Sequence, residues 1–273
     1  MKLIQITDLH LTAPGVTLFD IDPHERLRLC LADVARCHRD AELVVITGDL
    51  AHHGDPAAYG SLHEALDGFP LPTRLLIGNH DDRANFRACF PDAPVDADGF
   101  VQSVIDTGGS RLVFLDTHEP GTHQGHYCAR RRNWLGQQCE GASGRPIYVF
   151  MHHPMDDVAY RPMDEIGLAE KDAFRDVLRG HDIRHVFAGH VHRPICGSWR
   201  GIPFSMLRGL NHQVWLDFSV ASGIPCSLEP PAYAVILIDE HNVVVHLHDF
   251  LDQSPKFLYR PDLPEGEQIT RLR

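Results

Sequence analysis

What most constrains this 273-residue chain is the way its apolar runs end. Five stretches rich in Val, Ile, Leu and Phe each stop in a short polar cluster. "KLIQIT" ends at Asp8 and His10, and "ELVVIT" at Gly48 and Asp49. "TRLLI" ends at Gly78, Asn79, His80 and Asp81, "PIYVFM" at His152 and His153, and "IRHVFAG" at His190 and His192. Each run has the length and composition of a buried strand. One such cluster alone reads as a turn, because Gly, Asn and Asp are common turn residues. Five need another explanation. Ligands of open α/β sheets bind outside the carboxyl ends of the strands, so five polar strand ends on one edge converge in space.

Helical patterns separate these strands. "DPHERLRLCLADVARCH" predicts a helix with Asp22 as N-cap, Pro23 in its first position and Glu25 closing a capping box. Its apolar face is Leu27, Cys30, Leu31, Val34 and His38. "DPAAYGSLHEAL" again opens on Asp-Pro, "RRNWLGQQC" predicts a short helix, and "EKDAFRDVLRG" stops at Gly180. "FVQSVID" and "RLVFLDT" flank Gly108 and Gly109 as a hairpin, and "SWRGIPFSM" and "AYAVILIDEHNVVVHLHDF" predict hairpins near the C-terminus. The alternation predicts an α/β fold with a largely parallel sheet, which the hairpins make mixed or divide in two.

Net charge is −12 with 20 His taken as neutral. An acidic surface repels phosphate backbones, so no nucleic-acid polymer is expected as partner. A small anion is compatible, because a local metal reverses the field inside a cleft. No apolar run approaches a membrane span, and the N-terminus has no long apolar leader segment. The seven Cys form no C-x-x-C pair and are odd in number, which predicts reduced thiols and a cytoplasmic protein.

The polar clusters contain carboxylates, one amide, several imidazoles and no thiolate. That list excludes a thiolate-rich structural zinc site and suits Mn, Fe, Co, Ni or Zn in an open catalytic site. The donors exceed what one ion needs, and an Asp can bridge two. Two ions roughly 3.5–4 Å apart would hold a hydroxide and clamp the attacking and leaving oxygens of a phosphorus centre. If the strands continue, Asp8 and His10 point the same way, as do His190 and His192. The Gly before Asp49, Asn79 and His190 lets the backbone bend beside the site.

The blocks "ITDLH", "TGDL", "IGNHD", "FMHHP" and "AGHVH" resemble, in order, the D-x-H, G-D, G-N-H-D/E, H and G-H-x-H blocks of the calcineurin-like metallophosphoesterase superfamily. The resemblance covers Met1 to about Pro194. "GNHDDRANF", "DTHEPGTHQGH" before "NWL", and "YVFMHHP" are most similar to the bacterial glycerophosphodiesterase and class III cyclic-nucleotide phosphodiesterase subgroup. It implies a four-layer α/β/β/α sandwich, with a catalytic domain over 1–200 and a C-terminal β-hairpin cap, oligomerisation region and tail over 201–273. One divalent ion would be held by Asp8, His10, Asp49 and His192, and a second by Asp49, Asn79, His152 and His190. His80 would join Asp49 as a catalytic residue, stabilising phosphoryl oxygens or protonating the leaving group. The implied activity is hydrolysis of small phosphodiesters, glycerophosphodiesters or cyclic nucleotides, by a metal-bridging hydroxide. A phosphomonoesterase and a non-catalytic scaffold are the alternatives.

Loops around Phe19, His53 and His123 are expected to choose the substrate. His153 is expected to hydrogen-bond or pack behind the ligands. Asp81 is expected to cap the helix "RANFRACF" or to orient His80. His52 and His126 read as solvated loop histidines, and "ARRRN" as a solvated helix face. A homo-oligomer, dimer or higher, is expected through the C-terminal hairpins.

Overall fold

The computed structural model describes residues 1–271. The first half alternates as expected: β1 (Lys2–Ile6), α1 (Pro23–Cys37), β2 (Leu43–Thr47), α2 (Pro56–Leu66), β3 (Thr73–Leu76) and α3 (Arg83–Cys89). Then come β4 (Ser103–Asp106), β5 (Arg111–Phe114), α4 (Ala129–Gly141), β6 (Ile147–Phe150), α5 (Arg161–Asp164), α6 (Lys171–Leu178) and β7 (Ile183–Ala188). The remaining described elements are strands: β8 (Ile195–Trp199), β9 (Ile202–Met206), β10 (Gln213–Val214), β11 (Cys226–Ser227), β12 (Tyr233–Ile238), β13 (Val243–His248), β14 (Phe257–Tyr259) and β15 (Ile269–Arg271).

These strands build two mixed sheets. The five-stranded sheet has the order β13-β12-β1-β2-β3, and the six-stranded sheet the order β4-β5-β6-β7-β9-β8. β1, β2 and β3 are parallel, as are β5, β6, β7 and β9. Antiparallel strands flank each parallel block.

Period-two alternation sends successive side chains of one strand to different cores. Leu3, Val45 and Leu76 meet Phe114, Tyr148, Phe150 and Phe187 between the sheets. Ile4, Val44 and Ile46 pack instead against Leu27 and Val34 of α1, Leu62 of α2 and Phe86 of α3. Val113, Val149 and Val186 pack against Leu135 of α4 and Phe174 of α6. Burial on both faces is why these strands read as unbroken apolar runs. Gln5, buried on the inner face, donates to Thr47 Oγ1 (3.1 Å) and to Ala188 O (3.2 Å), tying one sheet to the other.

Local start signals act much as the sequence reads, with two corrections. Asp22 caps α1, accepting from His24 N (2.9 Å) and Glu25 N (3.3 Å), with Pro23 in the first helical position. Glu25 closes no capping box. Its carboxylate pairs with Arg28 on the surface. α3 is capped by Asp82, whose Oδ1 accepts from Asn85 N at 2.8 Å, so Asp81 is free for another task.

"SWRGIPFSM" forms its expected hairpin, β8 with β9, but the far edge of β9 also pairs in parallel with β7. β12 likewise pairs with β1. Strands after residue 200 thus contribute to both sheets, while β10–β11 and β14–β15 form separate two-stranded ladders. Among the described residues, no helix is long and apolar enough to cross a membrane. All seven Cys are free thiols.

Candidate active site

The polar strand ends meet on one edge, where backbone bonds join their loops. Asp8 N donates to Gly48 O (3.1 Å), His10 N to Asp49 O (2.9 Å) and Leu11 N to Leu50 O (3.0 Å). β1 has already ended at Ile6. Asp8 (φ 54°), His10 (φ 48°), Asp49 (φ 50°), His190 (φ 69°) and His192 (φ 49°) all take the left-handed conformation. Strand alternation therefore does not align the D-x-H and H-x-H pairs, contrary to expectation. Left-handed turns do, at about 1–3 kcal/mol of backbone strain each. Gly48 is also left-handed, at φ 96°. Gly78 is needed for room: a Cβ there would collide with Asp49 Oδ1 and lie 2.6 Å from His152 Nε2.

Two groups of donors result. In one, His10 Nε2 lies 3.1 Å from His192 Nε2 and 3.6 Å from Asp49 Oδ2, and His192 Nε2 lies 3.2 Å from Asp8 Oδ1. Candidate ligand atoms of Asp8, His10, Asp49 and His192 all lie within 4.8 Å of one another. In the other, Asn79 Oδ1 lies 3.1 Å from His152 Nε2 and 2.9 Å from His190 Nδ1, and His152 Nε2 lies 3.4 Å from Asp49 Oδ1. Asp49 stands between them with one oxygen toward each. His190 Nε2 is buried without a hydrogen-bond partner. Oxygen and imidazole donors without thiolate fit borderline divalent cations.

Charges in the cluster are balanced within it. Burial pushes the Asp49 carboxyl up, but His152, His80 and His10 overcome it and hold the group well below the usual carboxylate range. Asp8 is lowered in the same way, against burial, chiefly by His192. Burial opposes a charge on His152, yet Asp49 and Asp8 raise it to about 9. His192 is raised by Asp8 against the same opposition. At His190, burial and the neighbouring His152 outweigh the pull of Asp49 and Asp8 and bring it down to about 3. Two buried carboxylates thus favour protons on the two imidazoles beside them, and those are protons that cations would displace.

The sequence of residues 1–194 matches the family model described as calcineurin-like phosphoesterase. The chain belongs to that family. This calcineurin-like phosphoesterase is 42% identical over 261 residues to a probable cyclic nucleotide phosphodiesterase of Rhodopseudomonas palustris, covering 94% of this chain and 95% of the relative. A probable glycerophosphodiester phosphodiesterase of Arcobacter nitrofigilis is 25% identical over 236 residues, covering 85% and 86%. Among solved structures, the anchor in the inner membrane complex of Plasmodium aligns with a TM-score of 0.64 at 12% identity, covering 93% of this chain and 86% of that one. At that identity the likeness shows the fold alone.

The phosphoesterase cavity over the donors has a volume of about 260 Å³. His80, His123 and His212 line it together with Met163, Ile166, Val214 and Ile224. His80 N donates to Asp49 Oδ1 (2.9 Å), and its Nδ1 donates to His52 O (2.9 Å). Asn79 Nδ2 donates to His123 Nδ1 at 2.9 Å. Of the three loop residues expected at the substrate, only His123 lines this cavity. Phe19 is half exposed and reaches the site through His212, ring centres 4.9 Å apart. His53 is exposed, its ring 4.4 Å from that of His52.

His212 escaped the sequence reading. It follows β9, whose pairing with β7 brings its end to the ligand-bearing edge. The same strand-end rule would have found it had "GIPFSM" been read as parallel. The apolar lining gave no signal, because Met163, Ile166, Val214 and Ile224 look like core residues.

Behind the donors lie three supports. The Asp81 carboxylate neither caps α3 nor hydrogen-bonds to His80. Its carboxylate accepts from Leu50 N (3.1 Å), Ala51 N (2.9 Å), Gly78 N (2.8 Å) and Tyr59 Oη (2.9 Å), bracketing the loops after β2 and β3. His153 makes the expected hydrogen bonds, accepting at Nδ1 from Thr117 Oγ1 (2.8 Å) and donating from Nε2 to His123 O (3.1 Å). Within "ARRRN", Arg131 is 1% exposed, which corrects the solvated reading. Its guanidinium donates to Asp116 O (3.0 Å) and His118 O (2.9 Å), anchoring the base of the His123 loop.

Proposed function

We propose that this phosphoesterase is a metal-dependent phosphodiesterase that hydrolyses small diesters, cyclic nucleotides or glycerophosphodiesters, at a site for two divalent ions. The placing of Asp49, one carboxylate oxygen toward each donor group, carries this reading. A shared carboxylate can bridge a pair of cations about 3.5–4 Å apart. Asp8, His10, Asp49 and His192 would hold one ion, and Asp49, Asn79, His152 and His190 the other, taken from Mn, Fe, Zn or Co. Bound there, the ions would supply positive charge for phosphoryl oxygens and acidify a water to roughly neutral pKa.

The chain's own residues do the rest. His80 spends its Nδ1 proton on His52 O, so a second proton, carried on Nε2, would be the one that stabilises a phosphoryl oxygen or passes to the leaving oxygen. His123 holds the Asn79 amide nitrogen, turning Oδ1 toward His152 and His190. The apolar wall displaces water from the mouth and strengthens the charge interactions inside.

A cavity of about 260 Å³ on a chain of net charge −12 suits a small diester better than a nucleic-acid polymer. The names of both relatives favour a diester over a monoester. An anchor protein shares the fold, so the fold alone does not make an enzyme. The complete donor set favours catalysis over a scaffold. Seven unpaired thiols support a reducing, cytoplasmic setting. A homo-oligomer is supported by exposed Val244 and Leu247 on β13 and exposed Phe257, Tyr259 and Ile269 on β14 and β15.

Initial rates on a chromogenic diester and the matching monoester test the reading, using chelator-stripped protein before and after Mn²⁺ is added. Diester turnover should appear only with metal and exceed monoester turnover. Preference for the monoester would make the protein a phosphatase. No turnover of either with any divalent ion would overturn the reading in favour of a scaffold.

A further inference from the structure

A histidine that presents Nε2 to a cation must carry its proton on Nδ1, and something must hold that proton. His152 Nδ1 donates to Thr47 O at 2.8 Å, and His192 Nδ1 to His212 O at 2.8 Å. A carbonyl only accepts, so each imidazole keeps a proton on Nδ1 and turns Nε2, the nitrogen whose proton a cation would displace, to the cluster. His10 also turns Nε2 inward, toward His192 and Asp49. Its Nδ1, however, meets no carbonyl. The partner is His52 Nδ1, at 3.1 Å. An imidazole nitrogen can accept or donate, so the orientation of His10 depends on which role His52 takes.

His52 is placed to accept. Its ring stacks on that of His80, with centroids 4.9 Å apart and planes 14° apart, while its backbone carbonyl takes the Nδ1 proton of His80 at 2.9 Å. Residue 52 therefore touches a candidate metal ligand with its side chain and the candidate leaving-group histidine with its ring and carbonyl. Its sequence appearance, a solvated loop histidine, conceals this.

We infer that His52 is a positioning residue: by accepting from His10 Nδ1–H it fixes the proton of His10 away from the metal site, and its ring braces His80. The inference rests on the two-ion reading above. His10, His52 and His80 also bring nitrogen atoms within 4.8 Å of one another, so a cation shared among them is the competing arrangement. Against it, His10 turns Nε2 away from the other two rings, toward His192 and Asp49, and His80 Nδ1 is already engaged by His52 O.

Calorimetric titration of chelator-stripped full-length chain with Mn²⁺ tests this, for wild type, His52→Leu and His52→Gln. Wild type should bind two ions. His52→Leu should weaken one of the two by about 10–100-fold, the usual effect of losing a partner behind a ligating histidine, and leave the other unchanged. His52→Gln, whose side-chain oxygen can accept, should recover most of the loss. Thermal melting of the metal-free proteins should be alike. Should the Leu variant be poorly folded, long-range ¹H–¹⁵N spectra of wild type and His52→Gln decide instead: His10 should carry its proton on Nδ1 in both. Unchanged affinity in the Leu variant, equal loss at both sites, or an Nε2 proton on His10 would overturn the assignment. So would a third wild-type ion that the Leu variant alone abolishes. A wild-type chain that binds fewer than two ions overturns the two-ion reading itself, and this inference with it.

Discussion

Loops from the five-stranded sheet bring Asp8, His10, Asp49, Asn79 and His80 to the site, whereas the six-stranded sheet brings His152, His190 and His192, imidazoles alone. The first group is welded through its backbone. Residues 8, 10 and 11 bond to 48, 49 and 50, and Asp81 clamps Leu50, Ala51 and Gly78. The second group is held largely ring by ring: His152 leans on Thr47 of the opposite sheet and His192 on His212. The difference follows from charge. Asp8 and Asp49 are buried carboxylates, and the charge of Asp49 opposes ionisation of Asp8, so their separation has to be imposed by a rigid frame. His152 and His192 are instead drawn to those carboxylates, so their rings need only a direction.

The largest expected effect comes where the two groups meet. Asp49→Ala should abolish binding of both ions and phosphodiester turnover together, read by metal analysis and rates on the same preparation. Retained turnover would show that the groups are not joined through this residue. Next in size is the frame. Asp81→Ala leaves three buried N–H groups and a tyrosine hydroxyl without their acceptor, at about 1–3 kcal/mol for each that stays unsatisfied. Denaturant unfolding of the metal-free chain should show a loss of about 3 kcal/mol or more, with affinity for both ions reduced. A loss under about 1 kcal/mol would contradict the frame. Smallest in extent is His152→Ala, which should cost affinity at one ion only. If it weakened both ions as Asp81→Ala does, the contrast between frame and rings would fail.

The edge itself was legible in the sequence, because an apolar run that stops in Asp, Asn or His is visible without a structure. The mechanism that aims Asp8, His10, His190 and His192 was not. Nothing in their side chains announces a left-handed backbone, which comes from hydrogen bonds to loops far away in sequence. Adjacent acids illustrate the same limit. Asp81 and Asp82 have identical chemistry, and a shift of one residue decides which caps a helix and which clamps two loops. His52 and Arg131 were misjudged because their partners, His10 and the carbonyls of Asp116 and His118, are brought to them only by the fold. His212 required knowing that β9 runs parallel to β7, a pairing that local pattern does not encode.

Crystals soaked in Mn²⁺, with anomalous scattering collected at the manganese edge, test the central claim most directly. The account predicts two peaks about 3.5–4 Å apart, one on each side of the Asp49 carboxylate, the first against His10 and His192 and the second against Asn79 and His152. A single peak, or two peaks that do not share Asp49, would contradict it.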